Sequence, residues 1–108
     1  MGESLGEFEQ LVMFAVLRLD DGAYGATVRE ELRQRAGREV SPGALFTTLE
    51  RLEARGLVTS RYGDPTPERG GRRKRFYRLT GEGRRALATS FAMVTRMARG
   101  LEAKLGPS

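Results

Sequence analysis

Gly70-Gly71-Arg72-Arg73-Lys74-Arg75-Phe76-Tyr77-Arg78-Leu79-Thr80 is the stretch on which the reading of this chain turns. A glycine pair suits the tip of a hairpin, four consecutive cations follow it, and Phe76 to Leu79 alternate in character. The stretch reads as the tip and return strand of a β-hairpin. Leu57 to Tyr62 supplies the outgoing strand, and the Gly- and Pro-rich run Gly63 to Gly71 the loop between them. Strand alternation predicts that Arg73 and Arg75 share one face and that Lys74 shares the other with Phe76. Either Phe76 and Arg78 or Tyr77 and Leu79 can face inward; Phe76 is expected to pack in the core rather than to stack on a base.

Working back from the hairpin, the preceding helix carries its own boundaries. Ser41 is a favoured N-cap, Pro42 fits the first helical position, and Gly56 suits a left-handed C-terminal residue. A helix over 42–55 is about 21 Å long, with Leu45, Leu49 and Leu52 as its buried stripe. Its expected exposed positions are Gly43, Ala44, Thr47, Thr48 and Arg51. Further back, Leu5, Phe8, Val12, Ala15 and Leu19 step by 3, 4, 3 and 4, which predicts a first helix over 5–19 stopped by Asp20-Asp21-Gly22. Tyr24-Gly25 forms a turn, a second helix starts at Ala26 or Thr27, and Gly37 ends it. Beyond the hairpin, Thr80 caps a last helix expected from 81 to 104. Leu87, Phe91, Val94, Ala98, Leu101 and Leu105 mark a narrow seam along it, which Met93 and Met97 widen.

Charge is distributed unevenly. Residues 61–85 hold nine cations and three anions, so that segment carries +6 while the rest of the chain is −1. A local basic patch on a near-neutral body fits a docking surface for a polyanion. The chain has no cysteine and no histidine. Disulfides, thiol redox sensing and zinc-finger folding are thereby excluded, and the commonest general base is missing. Neither a metal site nor a cofactor is expected. Glu50 and Glu53, three residues apart on the 42–55 helix, read as wet-face partners of Arg51, Arg55 or neighbouring chains rather than as catalytic acids, and the glycines do not form a phosphate-binding loop between strand and helix. No enzyme activity is expected. Glu7, Glu9, Arg18 and Asp20 interrupt the first 20 residues, and no apolar run approaches the length that spans a bilayer. A soluble, cytoplasmic protein without membrane contact is expected.

A capped helix followed by a basic hairpin is the order of a winged helix-turn-helix. The expected fold class is therefore mainly α with a small β-hairpin: a winged helix-turn-helix over 1–80 and a C-terminal dimerisation helix over 81–108. In detail the chain resembles the PadR-like family of bacterial winged-helix repressors. The resemblance rests on Tyr24-Gly25, Ser41-Pro42-Gly43-Ala44-Leu45-Phe46, Leu49 to Val58 and Gly71 to Gly83, in the family's order, and covers about residues 8–100. The single short last helix resembles the smaller subfamily, whose members are homodimers. Two positions depart from the pattern. Phe46 stands where members commonly have Tyr, and the chain lacks the tryptophan on which drug-sensing members stack ligands.

The resemblance implies a sequence-specific DNA-binding transcriptional regulator, a homodimeric repressor on a pseudo-palindromic operator in double-stranded DNA. Its expected DNA-contacting residues are Tyr24, Ser41, Gly43, Ala44, Thr47, Thr48 and Arg51, with Arg72, Arg73, Lys74 and Arg75 on the wing. Gly43 and Ala44 permit close backbone approach, and threonine can offer a hydroxyl to a base or a methyl to thymine. The expected dimer interface is Leu5, Phe8, Leu87, Phe91, Val94, Ala98, Leu101 and Leu105. A small apolar effector, if one exists, would sit in a slot formed by Phe91, Met93 and Met97. The reading from another class is a winged helix used as a protein-interaction or assembly module, without preference among DNA duplexes.

Overall fold

A computed structural model describes residues 4–64 and 73–106. The described elements run α1 (Glu7–Leu19), a 3-10 turn (Asp20–Gly22), α2 (Gly25–Ala36), α3 (Pro42–Ala54), β1 (Val58–Tyr62), β2 (Arg75–Leu79), α4 (Gly81–Ala98) and α5 (Glu102–Leu105). The tip of the hairpin, Arg72 included, lies outside the described residues.

Local chemistry sets most of these boundaries. The Glu9 carboxylate accepts the Gly6 N–H at 2.9 Å, so α1 starts at Glu7 and not at Leu5. Leu5 precedes the helix and is buried in the core. Thr27 does not start α2 but closes its first turn. Its hydroxyl accepts the Tyr24 N–H at 3.0 Å and donates to the Gly22 carbonyl at 2.6 Å, so the helix begins two residues earlier at Gly25. Gly37 ends α2 at φ 65°, where the Arg38 N–H donates back to the Leu32 carbonyl. Ser41 caps α3 as expected: its hydroxyl accepts the Ala44 N–H at 3.1 Å, with Pro42 opening the helix. Gly56, at φ 78°, lets the Leu57 N–H return to the Leu52 carbonyl at 3.0 Å.

Val12, Met13 and Val16 of α1 lie at the centre of the core. They pack with Val28 and Leu32 of α2, Leu45, Leu49 and Leu52 of α3, and Leu87 of α4. The hairpin closes one side. β1 and β2 pair antiparallel with Val58 opposite Leu79 and Tyr62 opposite Arg75. Val58 and Leu79 are both buried, and the two-residue period then turns Tyr77 inward and Phe76 outward. This corrects the expectation for Phe76, which is half-buried on the far face. A short bridge adds a third edge: the Tyr77 N–H donates to the Ala23 carbonyl at 2.8 Å, and Tyr24 pairs with Phe76. The turn before α2 is thus stitched to the wing.

Thr80 anchors α4 on the end of α3. Its hydroxyl accepts the Gly83 N–H at 2.9 Å and donates to the Gly56 carbonyl at 2.7 Å, while its own N–H donates to the Leu57 carbonyl at 3.0 Å. The last helix is not continuous to residue 104. It stops at Ala98, Gly100 takes φ 85°, and a separate turn of helix begins at Glu102. Glycine is the poorest helix former after proline and has no penalty in the left-handed region. The regular stepping from Leu87 to Leu105 concealed that interruption. Among the described residues, no helix is long and apolar enough to cross a membrane.

Candidate nucleic-acid interface

The outer side of α3 carries Gly43, Ala44, Phe46, Thr47 and Arg51, all exposed. Thr48 is not among them. It is 5 % exposed, because it lies three residues after Leu45 and four before Leu52 and so joins their buried stripe. Its expected place on the wet face is corrected. Ser41 stands at the head of this strip with its hydroxyl oxygen already engaged by Ala44. Phe46 takes a role that its sequence did not advertise: a phenylalanine 51 % exposed, one turn into the helix, beside the wing.

On the wing, Arg73 and Lys74 are exposed. The Lys74 ammonium lies 4.7 Å from the centre of the Tyr24 ring, and Tyr24 meets Phe76 edge to face at 5.3 Å. On the same outer face the Arg61 guanidinium covers Phe76 at 4.9 Å. Tyr24, Lys74, Phe76 and Arg61 therefore form one aromatic and cationic cluster, in which each ring face offers partial negative charge to a cation.

Arg75, expected at a phosphate, is engaged within the chain. Its side chain turns inward with Tyr77 and reaches across to α3. It pairs with Glu50 at 2.9 Å and with Glu53 at 2.9 Å, and its Nε–H donates to the Ser60 hydroxyl oxygen at 3.0 Å. The Ser60 hydroxyl in turn donates to Glu53 at 3.0 Å. Glu50 and Glu53 were expected to serve Arg51, Arg55 or neighbouring chains. The cue that redirects them was present in the alternation, since a cation on the Tyr77 face of β2 points at α3. Burial acts to lower the Arg75 pKa, but the field of Tyr77, Glu50 and Glu53 outweighs it and the net shift is upward. Burial pushes the Tyr77 phenol up as well, against the pull of Arg75.

Between these two surfaces runs an open cleft of about 490 Å³, lined by Tyr24, Gly25 and Ala26 at the start of α2, Pro42, Phe46 and Leu49 of α3, and Tyr62, Lys74 and Arg75 of the wing. The groove thus has Phe46 of α3 on one side and Lys74 of the wing on the other, with Gly25, Ala26 and Pro42 from the first turns of α2 and α3 in its lining.

A second surface lies on α1 and α4. Leu5 and Leu87, expected at a dimer interface, are buried in the chain's own core, and Phe8 packs against it. Beyond Ser90 the picture reverses. Phe91, Val94, Leu101 and Leu105 are exposed, as are Met93 and Met97, the last at 75 %; Ala98 is half-buried. Phe14 of α1 meets Phe91 edge to face at 6.1 Å and extends the patch.

The model of the transcriptional regulator PadR-like family matches residues 13–89. "Transcriptional regulator Rv3488" of Mycobacterium tuberculosis is 43 % identical over 82 residues, covering 74 % of this chain and 70 % of the relative. A PadR family transcription regulator from Clostridium difficile R20291 superposes with a TM-score of 0.72 at 26 % identity, over 92 % of this chain and 99 % of the other. One from Eggerthella lenta gives 0.67 at 28 % identity, over 94 % and 88 %. These proteins are transcriptional regulators. On this fold, this groove and these relatives, the chain belongs to the PadR-like family of transcriptional regulators.

Proposed function

We propose that the chain binds double-stranded DNA sequence-specifically as a homodimer and represses transcription from a pseudo-palindromic operator. The observation that carries this reading is the shared groove. The cleft lies between Pro42 and Phe46 of α3 and Lys74 of the wing; Gly43, Ala44, Thr47 and Arg51 are exposed on the same helix, and Arg73 is exposed beside Lys74. In this arrangement α3 enters the major groove and its N-terminal half approaches base edges. Arg73 and Lys74 grip phosphates, which positions the protein without reading sequence. Arg72 belongs to the same proposal by its place in the chain.

The dimer reading is supported by the unpartnered patch of Phe14, Phe91, Val94, Met97 and Leu101, an apolar surface of the kind that marks a protein contact. Two copies joined there would present two α3 helices to successive major grooves, about 34 Å apart. Because Phe91, Met93 and Met97 are open to solvent, a slot for an apolar effector would require the second copy to close it.

Selection of bound genomic fragments by the purified protein tests the reading and yields the operator. Enrichment of one inverted-repeat motif supports it; no enrichment, with salt-tolerant capture of a protein instead, supports the assembly-module alternative. On the selected operator, replacing Arg73 and Lys74 by alanine should weaken binding to all duplexes alike and reduce the slope of log affinity against log salt by about two.

A further inference from the structure

Three adjacent cations on the wing have unlike surroundings. Arg73 and Lys74 are exposed, whereas the Arg75 side chain is only 25 % exposed and its guanidinium is held on three elements at once. One Nη donates to Glu50 and the other to Glu53, both on α3; Nε donates to Ser60 on β1; and Arg75 itself belongs to β2. Three rings enclose the group: Phe46 and Tyr62 at 5.9 Å and Tyr77 at 5.4 Å from the guanidinium carbon. A planar fork with fixed N–H directions can satisfy three acceptors on two sides in this way, and a lysine ammonium cannot reproduce that geometry.

We propose that Arg75 is a positioning residue for DNA recognition, the clasp that fixes the angle between α3 and the wing, and that it is not a phosphate contact. The proposal rests on the DNA-binding reading given above. Its physical content is twofold. The clasp holds the base-reading strip and the phosphate-gripping cations at one mutual spacing, so operator binding engages both together. It also offsets part of the negative charge of Glu50 and Glu53, two carboxylates on α3 that would otherwise repel an approaching phosphate backbone more strongly. Arg75 therefore acts on the ratio of specific to non-specific affinity, while Arg73 acts on both equally.

The test measures binding of the full chain to its selected operator and to a random duplex over a range of salt. Wild type, Arg73→Gln, Arg75→Lys and the pair Glu50→Gln with Glu53→Gln are compared, with folding of each checked by thermal melting. Arg73→Gln should weaken both duplexes and make the salt slope shallower by about one. Arg75→Lys, which keeps the charge, should lose roughly tenfold on the operator with the salt slope unchanged, the scale of one lost charge-assisted hydrogen bond. The glutamine pair keeps Arg75 and removes two anions. It should tighten the random duplex and lower the operator-to-random ratio, so it tests the clasp even where a change at Arg75 unfolds the chain. Wild-type behaviour of Arg75→Lys, or an unchanged ratio in the glutamine pair, overturns the clasp and leaves the DNA reading standing. If the wild-type chain itself shows no preference among duplexes, the DNA reading fails and the clasp's role in recognition falls with it.

Discussion

Replacing Gly83 by alanine should unfold this domain more readily than any other glycine-to-alanine change described by its geometry. Gly83 is buried in the first turn of α4, against the chain that follows α3. A Cβ there would lie 2.0 Å from the Leu57 carbonyl oxygen, 3.0 Å from its carbon and 3.3 Å from the Leu57 Cα. All three are backbone atoms, so no side chain can swing aside. Restoring an ordinary carbon–oxygen separation requires the two segments to part by on the order of 1 Å. The same carbonyl accepts the Thr80 N–H at 3.0 Å, and the neighbouring Gly56 carbonyl accepts the Thr80 hydroxyl at 2.7 Å. Overpacking costs about 1–3 kcal/mol, and each weakened hydrogen bond about 1 kcal/mol. Alanine recovers about 1 kcal/mol of helix propensity. The net loss is about 2–4 kcal/mol, or on the order of 10–20 °C in melting temperature for a domain of this size. Thermal and urea unfolding followed by circular dichroism measure it, with Gly43→Ala as control. Gly43 has no atom within 4 Å of its would-be Cβ, and that variant should stay within about 1 kcal/mol of wild type. A Gly83→Ala protein that melts at or above wild type, or that shifts no more than the control, refutes the reasoning.

Three further outcomes follow from the same geometry. Val94→Glu places a charge in the exposed patch of α4; sedimentation should show a monomer, and operator affinity should fall without loss of the monomer's fold. Thr47→Ala should alter which operator bases are preferred, read by selection from a randomised duplex, with stability within about 0.5 kcal/mol of wild type. Burial raises the Tyr77 pKa above its ordinary value near 10, so the folded chain holds that proton more tightly than the unfolded one. Its contribution is complete below about pH 10 and is lost as pH rises through the raised value. Melting temperature measured against pH should therefore fall less steeply above about pH 10 in Tyr77→Phe than in wild type, and parallel curves would contradict the assignment.

The parts of the fold that were legible in the sequence are those set by chemistry within one turn. Ser41 with Pro42, Gly37, Gly56 and Thr80 all stand at the ends where their side chains or backbone freedom place them. A capping hydroxyl meets an N–H three residues away and needs nothing from the rest of the chain. Thr48 and Gly100 were misread because a repeating pattern was followed without its phase or its exceptions. Thr48 falls beside Leu52 on the helical wheel, about 40° away, and one glycine outweighed a seam of good stepping. Leu5 and Leu87 were assigned to a partner because periodicity reports an apolar face but not what covers it. The chain's own core covers those two, and it leaves Phe91, Val94 and Met97 uncovered.

Arg75 shows where reading a run of like residues goes astray. In sequence, Arg73, Lys74 and Arg75 form one basic run and invite one role. In a strand, neighbours point to opposite faces, so the run divides as soon as it is paired. The pairing of Val58 with Leu79 sets the phase for the whole of β2. Leu79, Tyr77 and Arg75 then fall on one side, where Glu50 and Glu53 of α3 wait, while Phe76 falls on the other with Tyr24 and Arg61 around it. The charge that made the hairpin look like a grip is thus shared between two tasks. Arg73 and Lys74 remain exposed, and Arg75 pairs with the acids of α3. The number of cations in a wing is accordingly an upper bound on the phosphates it can hold, and the strand register decides how far below that bound the number falls.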